Sequence, residues 1–328
     1  MSTVTESGLP REVVQAKAIS VITSAAVTVG VFLGGFVLFE PAPYELYMAG
    51  LIAVWALFGL RISKHAAILL TLLVLFNIGG LISMGVMSDL YQTPLYLAVS
   101  LFLAFTAVFF VAIVEGDHTR YRLIFLGWVA AALVTGTLGI AGYFHLFPGA
   151  DKFTLYDRAS GAFADPNVFG PFLVLPAIWL FHRLLTGNPL LLPVTAGAFV
   201  LIVAAIFFSF SRGAWGLFAM SAVLLMIALF LRSQSSLFRL RLALMAVLAI
   251  SILVAAILVA LQLPGVADFF AMRARLVQEY DGGHLGRFAR FGIGFQMAME
   301  HPLGIGPLNF GRMLGEDTHN IWLKTLMD

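Results

Sequence analysis

Long apolar stretches, one after another, constrain this chain more than anything else in it. Runs at about 18–39, 43–60, 65–87, 92–114, 121–144, 168–185, 189–208, 213–231 and 241–261 carry almost no charge. A helix needs roughly 20 consecutive apolar residues to cross the hydrocarbon core of a bilayer. The second and sixth runs fall slightly short of that. Barrel strands alternate polar and apolar residues over roughly ten positions, whereas these runs are continuously apolar. The expected fold is therefore all-α, a polytopic transmembrane helix bundle of about nine spans. Composition agrees, with 61% apolar and 11% charged residues in 328, where a soluble domain carries about 25% charged.

Seventeen mostly polar residues precede the first run, which exceeds the roughly 7–15 apolar residues of a cleavable signal. It is expected to remain as an anchor. The chain then divides into an N-terminal segment 1–17, a bundle 18–261 and a segment 262–328. Without Cys there is no disulfide, thiol nucleophile or Cys-based metal site. A net charge of +2 gives no reason to expect nucleic acid as a partner. The lipid bilayer is the first partner.

Lys and Arg collect in cytoplasmic loops and set orientation. An N-terminus inside the cell places Arg11, Lys17, Arg61, Lys64, Arg120, Arg122, Arg183, Arg232, Arg239 and Arg241 in the cytoplasm. The first two outside loops then hold Glu40, Glu45 and Asp89 and no basic residue. The exceptions are concentrated. Lys152 and Arg158 follow the fifth span, Arg212 sits between the seventh and eighth, and Arg273, Arg275, Arg287, Arg290, Arg312 and Lys324 follow the ninth.

Four segments could carry chemistry. In Ser209-Phe210-Ser211-Arg212-Gly213-Ala214-Trp215-Gly216, apolar runs abut both sides, so Arg212 lies near the outer end of a helical hairpin. An arginine there either snorkels to the headgroups or faces a cavity with an anionic partner. In Arg158 to Gly170, Asp165-Pro166-Asn167 reads as a helix start, with Asp165 as cap and Pro166 first in the helix. Arg158 presents a five-donor fork suited to phosphate oxygens. Farther on, Phe288, Phe291, Phe295 and Met299 form one helical stripe about 80° wide, with Arg287 and Arg290 on its flank. That is the pattern of a helix lying in the interface, whose arginines bind either ordinary lipid headgroups or a substrate. Last comes Asp317-Thr318-His319-Asn320-Ile321-Trp322-Leu323-Lys324. Histidine titrates near neutral pH and can serve as a base, though on residue type alone His284 and His301 are equal rivals.

Taken in order, these segments resemble the O-antigen ligase and polysaccharide polymerase family of bacterial inner-membrane glycosyltransferases. The likeness rests on Gly161 to Gly170, Ser209 to Gly213, the Arg287 helix running into His301-Pro302-Leu303-Gly304-Ile305-Gly306-Pro307, Asn309-Phe310 and His319-Asn320. It covers roughly 155–328, the earlier spans being similar only in hydropathy. The resemblance implies transfer or polymerisation of a saccharide from an undecaprenyl-diphosphate-linked donor at the periplasmic face. It implies catalytic roles for His319, Arg212 and Arg287, with Arg158, Arg212, Arg287 and Arg290 on the diphosphate. His319 would be the base of an inverting, metal-independent displacement needing no cofactor. The acceptor would be a glycan, the lipid A core or a protein hydroxyl. Members of the family usually continue through further membrane helices, so the chain is expected to extend past Asp328.

The residues themselves add two points. The outside basic residues sit beside these motifs, where a lipid diphosphate needs them. The chain also lacks the Gly-rich phosphate loop of nucleotide-binding proteins and a D-x-D triplet. A transporter or flippase for lipid-linked saccharide is the competing reading, but transporters often show internal repeats and midplane ionisable groups, and here no repeat is evident. A structural assembly partner is the third.

Overall fold

In a computed structural model of the chain, residues 11–58, 62–262 and 286–328 are described. Arg61, Arg273, Arg275 and His284 lie outside the described residues, as does the side chain of Arg287. The described chain is about three quarters helical, at 76%. Hydrocarbon offers backbone N–H and C=O groups no partner, so an apolar run that crosses it satisfies them within its own helix. The long helices are α1 (Arg11–Leu33), α3 (Lys64–Met84), α4 (Thr93–Gly116), α5 (Arg120–Tyr143), α6 (Pro166–Thr186), α7 (Leu192–Phe208), α8 (Arg212–Arg232) and α9 (Ser236–Ala260). A shorter α2 spans Pro43–Leu57, and α10 (Arg287–Glu300), α11 (Asn309–Leu314) and α12 (Ile321–Met327) follow. Among the described residues, seven helices are long and apolar enough to cross a membrane, and α2 is a shorter apolar one. Side chains such as Leu72, Leu103, Val200, Leu224 and Leu248 lie exposed on their outer faces, the surface of a multi-pass membrane protein.

The chain forms two compact units, residues 1–48 with 119–274 and residues 49–118 with 275–328. In the first, α5 packs against α1, α6 and α7. Its buried face runs Gly127, Ala131, Ala132, Thr135, Gly136, Gly139, spaced at three and four residues. Small side chains let backbones approach where lipid supplies no hydrophobic drive between helices. Phe169, Leu173, Ile202 and Ala205 complete this core. Pro171 and Pro176 lie inside α6. Pro176 has no N–H to give the carbonyl one turn earlier, and the Trp128 indole of α5 donates to that Phe172 oxygen at 3.1 Å.

The first helix stops at Leu33, six residues before the expected limit of its run, because Gly34-Gly35 follows. The chain then pairs with the α5–α6 connection: Val37 N donates to Ala162 O at 2.7 Å, and Ala164 N to Val37 O at 3.0 Å. That connection holds a short antiparallel pairing of Thr154–Leu155 with Arg158–Ala159. Thr135, fully buried on α5, accepts from Ala162 N at 2.7 Å. The loop carrying Arg158 is thereby fastened to α5 and to the chain that follows α1.

In the second unit α3 packs along α4, and the Trp55 ring of α2 meets Phe109 edge-on at 5.1 Å. The segment from α10 onward has its own small core of Ile305, Phe310 and Met327, lined by Ile293 and Met297.

Candidate functional site

The turn between α7 and α8 is three residues long, Ser209-Phe210-Ser211. Phe210 adopts φ 46°, a left-handed conformation that is an outlier for a bulky side chain. It is held there by burial among Tyr143, Phe207, Phe208 and Trp215. The last carbonyls of α7 find partners locally, since Ile206 O accepts from Ser209 Oγ at 2.6 Å and from the Trp215 indole at 3.1 Å. Ser211 caps α8 by accepting from Ala214 N. Arg212 is therefore the first residue of the helix, half-buried, where its charge opposes the positive end of the helix dipole.

Arg158 reaches this turn from the α5–α6 loop. It is only 4% exposed. Its Nε donates to Ser209 O at 2.8 Å and its Nη2 to Asn167 Oδ1 at 2.8 Å. Asn167 belongs to the helix start anticipated from Asp-Pro-Asn: Asp165 caps α6 by accepting from Asn167 N at 2.7 Å, and Pro166 is its first residue. The structure thus brings Arg158, the α6 start and the Arg212 turn together in the first unit.

Arg287, Arg290 and His319 belong to the second unit. Arg287 opens α10. Of the expected stripe, Phe288, Phe295 and Met299 are exposed along one side of that helix, whereas Phe291 is half-buried. Arg290 points elsewhere: its side chain is 13% exposed and ion-paired through Nη1 to Glu316, while its buried Nε makes no hydrogen bond. One turn on, a Cβ at Gly294 would sit 3.1 Å from the Thr318 methyl, so α10 lies close against the strand of chain that carries His319.

His319 is exposed, with φ 53°. Its neighbours are all occupied in holding it. Thr318, fully buried, bonds through Oγ1 to both N and O of Asn320 at 3.3 Å. Asn320 Oδ1 caps α12, accepting from Trp322 N at 3.0 Å and Leu323 N at 3.3 Å. Asp317 accepts from Thr318 N at 2.8 Å and from Lys324 Nζ at 2.7 Å, and Lys324 lies over the Tyr96 ring of α4. Burial works against both charges, yet their mutual hydrogen bond holds the Asp317 carboxyl below its usual range and Lys324 above its own.

His301 to Pro307 is a turn, as its composition predicts. Ile305 N donates to Met327 O at 2.7 Å, and Gly304 and Gly306 take φ 78° and 95°. A side chain at Gly306 would strike the Met87 thioether. The α3–α4 loop grips the same segment: Thr93 Oγ1 donates to Pro307 O at 3.0 Å, and Asp89 pairs with Arg312 at 2.8 Å. The Tyr91 N–H and the Arg312 guanidinium keep the Asp89 carboxyl below its ordinary value.

Residues 197–328 match the family model described as O-antigen ligase. Over that stretch, less than half of the chain, the sequence is similar to O-antigen ligases. No curated protein and no solved structure matches it. The matched stretch holds Arg212, Arg287, Arg290 and His319, while Arg158 and the α6 start precede it.

The pairings that hold the matched stretch escaped the sequence reading. Asp317 and Lys324 are partners seven residues apart across a bend, and Asp89 meets Arg312 across 223 positions. Neither pairing leaves a local signal. Asn320 did leave one, an Asn directly before an apolar helical run.

Proposed function

We propose that the protein moves saccharide from an undecaprenyl-diphosphate-linked donor onto an acceptor hydroxyl at the periplasmic face of the bacterial inner membrane, its N-terminus in the cytoplasm. The observation that carries this reading is the O-antigen ligase match across the residues from Arg212 to His319. The exposed His319 imidazole takes the acceptor hydroxyl proton as that oxygen attacks the anomeric carbon. The bond from that carbon to the diphosphate breaks with inversion, and undecaprenyl diphosphate leaves. Arg212 and Arg287 bind the diphosphate and offset the charge that grows on it, and Arg290 exchanges its Glu316 partner for a phosphate oxygen when the donor binds. Arg158, whose Nε and Nη2 are engaged with the protein, adds its charge from beneath the Arg212 turn. The stripe of Phe288, Phe291, Phe295 and Met299 lies in the outer interface, apolar side to the lipid. The reaction is metal-independent in this proposal. A glycan, the lipid A core or a protein hydroxyl can accept.

Deletion of the gene in its host, complemented by wild type, Arg212→Ala or His319→Ala at equal membrane levels, tests the reading. Surface glycans are compared by gel. Transfer restored by wild type alone supports it, with uncapped lipid A marking a ligase and persisting single units a polymerase. Full rescue by both variants rejects the proposed chemistry in favour of transport or scaffolding.

A further inference from the structure

Arg158 is more deeply buried than Arg212 or Arg290, and the way it is held suggests a different task. A guanidinium removed from water must be paired or hydrogen-bonded, and here two donors of one rigid fork are fixed on two separate segments. Nε takes the Ser209 carbonyl, inside the α7–α8 turn, and Nη2 takes the Asn167 side chain, in the first turn of α6. Ser209 is three residues from Arg212 and precedes Phe210, whose left-handed backbone needs support from its surroundings. Ser209 Oγ also accepts from Ser211 N at 3.3 Å. Moving the Ser209 carbonyl therefore moves the cap residue and, with it, the first residue of α8.

We propose that Arg158 and Asn167 are positioning residues for Arg212: Asn167 aims the Arg158 fork, and the fork fixes the turn that presents Arg212. This rests on the reading that Arg212 binds the donor diphosphate. Lysine cannot make both bonds, because its ammonium is a point donor without the planar fork.

The test uses the full-length protein in host membranes and purified in detergent, with Arg158→Lys, Asn167→Ala, Asn167→Asp, the double variant Arg158→Lys/Asn167→Ala, and Arg212→Ala as reference. Transfer is scored on surface glycans, binding with undecaprenyl diphosphate as probe, and folding by thermal midpoint. Misplacing a binding group by about 1 Å costs on the order of 100-fold, so Arg158→Lys and Asn167→Ala are each expected to weaken binding and transfer by about 10–100-fold. The double variant should be no worse than the poorer single one, since both break the same link. Asn167→Asp keeps an acceptor for Nη2 and should fall closer to wild type than Asn167→Ala.

Loss in Arg158→Lys with none in Asn167→Ala would instead mean that Arg158 touches phosphate directly, and overturns the proposal. So does a lowered thermal midpoint with unchanged binding and transfer per folded molecule, which is a purely stabilising role. If Arg212→Ala itself binds and transfers normally, the diphosphate reading fails first. If Arg212→Ala is inactive while Arg158→Lys and Asn167→Ala are active, that reading stands and the positioning role falls.

Discussion

Two helices of the first unit begin within reach of one arginine, and they begin in opposite ways. The α6 start follows every local rule: an acidic cap at Asp165, proline in the first position, and an N–H received by the cap at 2.7 Å. The α8 start keeps a cap, Ser211, but sets a left-handed phenylalanine before it and an arginine immediately after. A cation at that position is disfavoured by roughly 0.3–1 kcal/mol in an exposed helix. Conformity at α6 is what a structural joint looks like. Departure at α8 is what a site looks like, because a sequence violates local preference mainly where function needs it. The second unit repeats the pattern at His319, another left-handed residue directly before a helix cap, Asn320.

The largest effect is expected when α8 is made to start by the rules. Arg212→Glu places an acid where the helix dipole favours one. Transfer is expected to fall by about 100-fold or more, the cost of losing one group that stabilises developing charge. The thermal midpoint should correspond to a change within about 1 kcal/mol. Glycan gels beside a melting curve of the purified protein check both. A variant that transfers normally would place Arg212 with the structural residues.

The converse change weakens the α6 cap and leaves the Asn167 side chain on Arg158. Asp165→Ala removes a cap and is expected to cost about 1 kcal/mol, read in the thermal midpoint, with transfer per folded molecule retained. If activity disappears while the midpoint holds, the α6 start is more than a joint. A related joint lies deeper in the same helix. Trp128→Phe leaves the Phe172 carbonyl, already without a proline donor, unpaired in the bundle, and is expected to cost about 1 kcal/mol. Equal stability of Trp128→Phe would show that another donor takes over.

These local rules also mark how far the sequence could be read. Helical class and the approximate run limits follow from apolar length, since hydrocarbon leaves so few alternatives. The Asp165–Pro166 start and the turn at His301 to Pro307 were legible because capping and glycine chemistry act within a few residues. What Arg158 does was not. Its fork matches phosphate oxygens and a backbone carbonyl equally well, and only the folded chain brings Ser209, 51 positions away, into reach. Arg290 likewise sits on the expected helix beside the expected stripe, yet it turns to Glu316, a residue that the periodicity of α10 cannot reveal.

The smallest effect concerns the ion pair that braces the strand carrying His319. The Asp317 carboxyl is held below its ordinary value in the folded protein, so its contribution is complete above the unfolded value of about 3.9 and is lost as pH falls through the lowered one. Lys324 is held above its ordinary value, so its contribution is complete below about 10.4 and is lost as pH rises through the raised one. Between about pH 5 and 9 the pair is intact on both counts. Both side chains remain partly exposed, which screens the interaction and keeps the effect small. Hydrogen exchange at Thr318 to Lys324 should therefore be flat across that window once corrected for intrinsic rates, and should quicken toward pH 3. Asp317→Asn should exchange faster than wild type at neutral pH and converge with it in acid. Parallel profiles down to pH 3 would mean that Thr318 and Asn320 hold His319 without help from the pair.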